Sequence, residues 1–180
     1  MSRNRRVFLL AALCLLVSSC GYSTTRLLPS NYRTIYIEPF KNRIPITEEI
    51  SDQEEYKTSL PELDRKVTRA VINQFLFDGN LRITTKPEQA DLLLDGEITD
   101  FSRQDLRRQD DNTVEEYRLN LTASVIVRDR QHAVIFQEPS LIGDTTYFLS
   151  GSLAKSETAA VEDLLTDFSK RVVERVIENW

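Results

Sequence analysis

Thiols and imidazoles are almost missing from this 180-residue chain, which has two Cys and one His. Cys14 lies inside an apolar leader and Cys20 directly behind it, so the body from Gly21 onward has no cysteine and no disulfide can staple it. A lone imidazole, His132 in a turn-like stretch, reads as structural or solvated. With one His, no Cys pair and no His/carboxylate cluster, no transition-metal site is expected. Long hydrophobic runs are missing too. The longest, Val7 to Val17, has eleven residues, short of the roughly 20 that cross a bilayer as a helix. Gly-x-Ser-x-Gly, His-Glu-x-x-His, P-loop and dinucleotide fingerprints are all absent. Asp110 and Asp111 are neighbours in a turn, and nothing holds such a pair at a catalytic separation. No catalytic residue, enzymatic activity or cofactor is therefore expected.

What is present begins at the amino terminus. Arg3, Arg5 and Arg6 precede the apolar run, and Ser18-Ser19-Cys20 follows it. A basic head, a short apolar segment and small residues are the marks of an export signal. Apolar-small-small-Cys resembles the bacterial lipobox, in which the Cys thiol is lipidated and becomes the first mature residue; the alternative is an ordinary signal peptide with an incidental Cys. The lipobox reading makes residues 1–19 a lipoprotein signal peptide, 20–33 a lipidated tether and 34–180 one domain. Each buried CH₂ contributes about 0.8 kcal/mol, so one acyl chain such as palmitate holds weakly and two or more hold firmly. Cys20 is the expected link to the membrane. Gly21, rather than Asp, stands next, which by resemblance to enterobacterial lipoproteins favours the outer membrane.

Loss of the leader removes three of 23 basic residues and leaves 20 against 28 acidic ones, a formal charge of −8. Clustered Lys and Arg for nucleic-acid phosphates are not in prospect, and a body this acidic does not adhere as a whole to an anionic bilayer. Thr34 to Phe40 is β-branched and aromatic, with Ile35 and Ile37 on one strand face and Pro39 ending the run. Lys41 to Leu60, rich in Glu and Asp, reads as a solvated loop. Ser59-Leu60-Pro61-Glu62 matches a capping box. Leu63, Val67, Ala70, Val71 and Phe75 then make a helical stripe that Asp78-Gly79-Asn80 stops. Leu81 to Thr84 is a short strand.

From Ala90 the pattern becomes a meander. Leu92, Leu94, Gly96 and Ile98 point one way, and Phe101 falls out of phase, which predicts a bulge or twist near Asp100. Arg103 to Asn112 is a mixed-charge hairpin end. Tyr117, Leu119, Leu121, Ala123, Val125 and Val127 alternate with Arg118, Asn120, Thr122, Ser124, Ile126 and Arg128 in the strongest strand, and six in-phase positions fix its register. Asp129 to His132 turns the chain. Val134 to Phe136 starts a returning strand that Pro139 interrupts, and Leu141 to Phe148 continues it as an edge. Glu157 to Trp180 is a long amphipathic helix with Val161, Leu164, Leu165, Phe168, Val172, Val176 and Ile177 on one side. The plan is α+β, two α-helices packed on one face of a mostly antiparallel sheet of about four strands. The opposite face, with Arg118, Asn120, Thr122, Ser124 and Arg128, is polar. Its hairpin is longer than a core of this size needs, which suits docking.

Cys20-Gly21-Tyr22, Thr34 to Arg43, Phe77 to Ile83, Ala90 to Ile98 and Glu116 to Leu119 together resemble the LPS-assembly lipoprotein family (LptE-like) across nearly the whole mature chain. The resemblance implies a fold of two helices on a four-stranded sheet. It also implies an outer-membrane lipoprotein that plugs the LPS-assembly β-barrel, assists its folding and binds LPS. The acidic loop from Thr47 to Tyr56 is longer than the family connection. Binding of LPS would place Lys or Arg on phosphates and carboxylates. Candidates are Arg103, Arg107 and Arg108 at the hairpin end and Arg128 and Arg130 at the opposite end. Asp105, Asp110, Asp111 and Asp129 are near enough in sequence to neutralise them instead. The rival function is another envelope lipoprotein of similar plan, either a regulator of peptidoglycan synthesis or a secretion-pore accessory.

Overall fold

The computed structural model describes residues 32–45 and 62–178. The signal peptide, Cys20, the tether up to residue 31, the acidic loop 47–56 and Ser59 lie outside the described residues. Six strands and two helices follow in order: β1 (Thr34–Ile37), β2 (Lys41–Asn42), α1 (Leu63–Asp78), β3 (Arg82–Ile83), β4 (Leu92–Arg108), β5 (Val114–Asp129), β6 (Val134–Phe148) and α2 (Glu157–Glu178). The sheet order is β3-β1-β4-β5-β6, with β2 also on β4.

The α+β class and the single helical layer are as the residue pattern implies, but the sheet is larger and more mixed. Among the described residues it has six strands, and β1 pairs in parallel with both β3 and β4, as β2 does with β4. The parallel arrangement follows from α1, which carries the chain back so that β3 runs alongside β1; parallel neighbours need such a crossover. Two-residue strands such as β2 and β3 show no alternation, so periodicity could not find β2. Pro39 does end β1. Pairing with β4 nonetheless resumes beyond it, because Glu38 N–H donates to Leu94 O (2.9 Å) and Arg43 N–H to Ile98 O (2.8 Å) on either side of the proline.

In β4, Leu92, Leu94 and Ile98 are buried, and the register slips between Ile98 and Asp100. That bulge returns Phe101, fully buried, to the core face opposite Leu121. All of Leu119, Leu121, Ala123, Val125 and Val127 are buried on β5, while Tyr117 is half-buried. Both hairpins turn through the same device. Gln109 N–H donates to Thr113 O and Asn112 N–H to Gln109 O; Asp129 N–H donates to Ala133 O and His132 N–H to Asp129 O. Asn112 (φ 67°) and His132 (φ 62°) take the left-handed residue that a three-residue hairpin loop requires. His132 is thus a turn residue, exposed and structural. β6 is one continuous edge strand; Pro139-Ser140 is absorbed as a bulge, since Val125 faces Glu138 and Ala123 faces Leu141.

Helix α1 presents Leu63, Val67, Val71 and Phe75 inward. Gly79 ends it at φ 75°, with its N–H donating to Phe75 O at 3.1 Å. The capping box does not form as the sequence suggests. Glu62 sits before the helix with φ 60° instead of three residues into it, and it makes no capping bond. Its carboxylate pairs with Arg65 at 2.7 Å. Helix α2 buries Ala160, Val161, Leu164, Leu165, Phe168, Val172, Val173 and Val176, with Ile177 partly covered. Phe40 meets Phe168 edge to face at 6.2 Å, which joins the β1–β2 segment to α2. One core cluster contains residues from both helices and from the sheet.

Candidate functional site

The core leaves three surfaces that carry chemistry: the β4–β5 hairpin end, the opposite end where β1 begins, and the sheet face away from the helices. Each holds some of the arginines singled out from the sequence.

Arg103 is not at the hairpin end. Because of the bulge it faces Leu119 on the helix side of β4. Its Nη1 donates to Glu157 Oε2 in the first turn of α2 at 2.9 Å, and its guanidinium lies 4.6 Å from the Tyr117 ring centroid. Tyr117 packs on Tyr147 at 5.7 Å. Burial, together with the Glu157 carboxylate, pushes the Tyr147 phenol above its ordinary range. With a side chain only 19% exposed, Arg103 clamps α2 to the sheet.

Arg107 and Arg108 do lie at the end of β4. Arg107 is shared between Glu115 (4.0 Å) and Glu116 (3.9 Å) and approaches the Phe148 ring at 5.9 Å. Arg108 pairs with Asp105, the partner its spacing suggested, and donates to Asn112 O. Asp111 serves the turn instead, accepting from the Thr113 N–H and hydroxyl at 3.0 and 2.6 Å. Asp129 does the same for Gln131 and Ala133. Leu106, Leu149 and Leu153 are exposed apolar residues of the adjoining chain.

At the opposite end, Arg128 donates to Asp95 at 2.6 Å on the outward face, and Lys41 reaches the same carboxylate at 3.5 Å. Glu38 completes the group. Its hydrogen bond with Asp95, then burial and the Asp95 charge, raise its pKa. Burial acts upward on Asp95 as well, but the bond from Glu38 and the charges of Lys41 and Arg128 outweigh it and hold that carboxyl below its usual range. Arg130 pairs with Asp91 at 2.9 Å and donates from Nε to Ala90 O. Asp91 is the residue the pattern missed. Its Oδ2 accepts the Arg33 N–H, the Thr34 N–H and the Thr34 hydroxyl at 2.9, 2.9 and 2.8 Å. These bonds fasten the start of β1 to the start of β4.

All five candidate arginines are thus engaged by carboxylates of the protein. The structure gathers Arg107 and Arg108 at one end, Arg128 and Arg130 at the other, and Arg103 beneath α2. Between α1 and α2 runs an open groove with Arg65, Lys66 and Arg69 on one wall and Glu157 and Glu162 on the other. Among the described residues, no helix is long and apolar enough to cross a membrane.

The architecture, a long antiparallel hairpin sheet with two helices on one face, agrees with the comparison with known families. The family model for lipopolysaccharide assembly, LptE, matches residues 32–179. The chain belongs to the LptE family. A role in LPS assembly follows at that level, with the LPS transport machinery as the setting and the cell envelope as the place. No curated protein matches the chain. Among solved structures, a minor lipoprotein from Acinetobacter baumannii is 13% identical with a TM-score of 0.50, and the match covers 82% of this chain and 94% of that one. A protein from Xanthomonas campestris is likewise 13% identical at a TM-score of 0.50, covering 83% and 85%. At such identity these structures establish the shared fold alone. The sheet exceeds the expected four strands by the short parallel strands β2 and β3.

Proposed function

We propose that this LptE-family protein is a lipid-anchored, non-catalytic outer-membrane component that plugs the LPS-transport β-barrel, supports its assembly and helps pass LPS to the cell surface. The family match over residues 32–179 carries this reading. Dimensions support it. Five strands side by side at about 4.8 Å make a slab roughly 20 Å wide, and one helical layer adds about 10 Å. A barrel of some 16 or more strands has a lumen of comparable breadth. β4, with 17 residues, is about 55 Å long at 3.3 Å per residue, so the hairpin reaches well beyond the segment paired with β1 and β2. Anchoring is assigned to the acylated Cys20, and contact with LPS to basic residues of the sheet.

The test is capture of the full-length protein from detergent-solubilised outer membrane, with photo-crosslinkers placed at Asp110 and Gln131. A large β-barrel crosslinked from the hairpin end, on residues that face its lumen, is the expected result. A periplasmic synthase as the dominant partner would overturn the reading in favour of a peptidoglycan regulator.

A further inference from the structure

We propose that Arg118, on the outward face of β5, binds a phosphate of the glycolipid head group; this rests on the LPS reading above and names a residue for it. The contrast with the arginines of the two long hairpin strands and the turn after β5 carries the inference. Arg103, Arg107, Arg108, Arg128 and Arg130 each hold a carboxylate of the protein. Arg118 makes no hydrogen bond or ion pair with any described residue, and its Nε is shut off from solvent without an acceptor. Acids around it are already engaged. Glu116, two residues back on the same face, is approached by Arg107, and Asp144 on β6 is held by Arg171 at 3.0 Å.

Apart from Glu116, which Arg107 approaches, the immediate neighbours of Arg118 on this face are uncharged hydrogen-bonding groups. Gln104 on β4 and Thr146 on β6 stand opposite it in register, and Asn120 follows on its own strand. A half-buried guanidinium bordered by polar groups, with its acidic neighbours already engaged, suits a phosphorylated sugar. The fork binds the phosphate through two parallel N–H groups, and the amide and hydroxyls meet ring oxygens. No bond within the described residues fixes the present rotamer, so the side chain is free to turn its Nε–Nη edge outward and give the unpaired N–H an acceptor. Phe148, two residues beyond Thr146 on the same strand, supplies an apolar border.

The experiment titrates purified LPS against the full-length lipoprotein in detergent, with Arg118→Met, Arg118→Lys and Arg107→Met, each checked for an unchanged melting curve. Loss of a charge-assisted phosphate contact corresponds to roughly a 10- to 100-fold rise in Kd for Arg118→Met. A smaller loss is expected for Arg118→Lys, and less than threefold for Arg107→Met. LPS stripped of its phosphates should bind the wild type as weakly as intact LPS binds Arg118→Met. Wild-type binding that Arg118→Met leaves unchanged, or equal affinity for stripped LPS, overturns the assignment alone. Binding of inorganic phosphate with the same dependence on Arg118 overturns the lipid as its source. Failure of the wild type to bind LPS at all overturns the LPS reading and Arg118 with it.

Discussion

Asp91→Ala is the perturbation that best tests how the start of β1 is fastened to the sheet. In the folded protein this carboxylate takes three donors on Oδ2 from Arg33 and Thr34 and one on Oδ1 from Arg130. Water replaces the bond to the exposed Arg33 N–H. The Arg130 side chain is 57% exposed, so that ion pair is screened and adds little. What remains are the two Thr34 donors, half-buried and bonded to a charged acceptor, which puts the loss at about 2–3 kcal/mol. For a domain of this size that lowers Tm by about 5–10 °C, readable by circular dichroism at pH 7. A shift below about 2 °C would refute the accounting.

The same carboxylate predicts a pH dependence. Burial pushes its pKa up, but the Arg33 N–H, the Thr34 hydroxyl and N–H and the Arg130 charge prevail and depress it. A carboxyl whose folded pKa is depressed stabilises the fold fully above its unfolded pKa of about 3.9, and this is lost as pH falls through the folded value. The stability gap between wild type and Asp91→Ala should therefore close below pH 4. A gap that widens from pH 5 to pH 2 would contradict the sign.

Three further outcomes follow from packing and from the leader. Val125→Asp puts an unpaired charge at a fully buried position of β5 and should destabilise by on the order of 4 kcal/mol; an unchanged urea midpoint would mean that the strand faces the other way. Gly143→Ala places a methyl carbon 2.6 Å from Phe168 Cβ and 2.8 Å from its Cα, and helix backbone cannot yield as a side-chain tip does, so α2 must move and Tm should fall by several degrees. Cys20→Ser removes the thiol that acylation needs, so mass spectrometry of the membrane fraction should show the variant without acyl chains; a normally acylated variant would refute the lipobox.

Legibility in the sequence divided along a physical line. Wherever an apolar period ran for several residues, as in β5 or along α1 and α2, the alternation identified the element and its buried face together, because burial imposes the period. The out-of-phase Phe101 was enough to locate a bulge, since a core residue at the wrong parity requires an extra residue in the strand. Two-residue strands carry no period, and parallel pairing depends on how α1 returns the chain, so β2 and the mixed character of the sheet stayed hidden. Partners of charged side chains were hidden for the same reason. Arg103 meets Glu157 from 54 residues away, and Asp91 meets Thr34 from 57. Among the five candidate arginines, the local pair Arg108–Asp105, three residues apart, was within reach of spacing alone.

That distinction also explains why the arginines first in view were less informative than the one passed over. A basic residue amid acids in sequence draws notice, yet proximity of opposite charges lets the fold neutralise it, and an arginine held by a carboxylate must break that pair before it meets a phosphate. Arg118 sits in a run of neutral polar residues, Asn120, Thr122 and Ser124, that reads as plain solvated face. There the nearby acids, Glu116 and Asp144, are held by Arg107 and Arg171, which leaves the guanidinium uncommitted in the folded state. In a chain with more acidic than basic residues, the protein's own carboxylates hold the arginines at both hairpin ends, and the proposed phosphate contact draws on one that they do not.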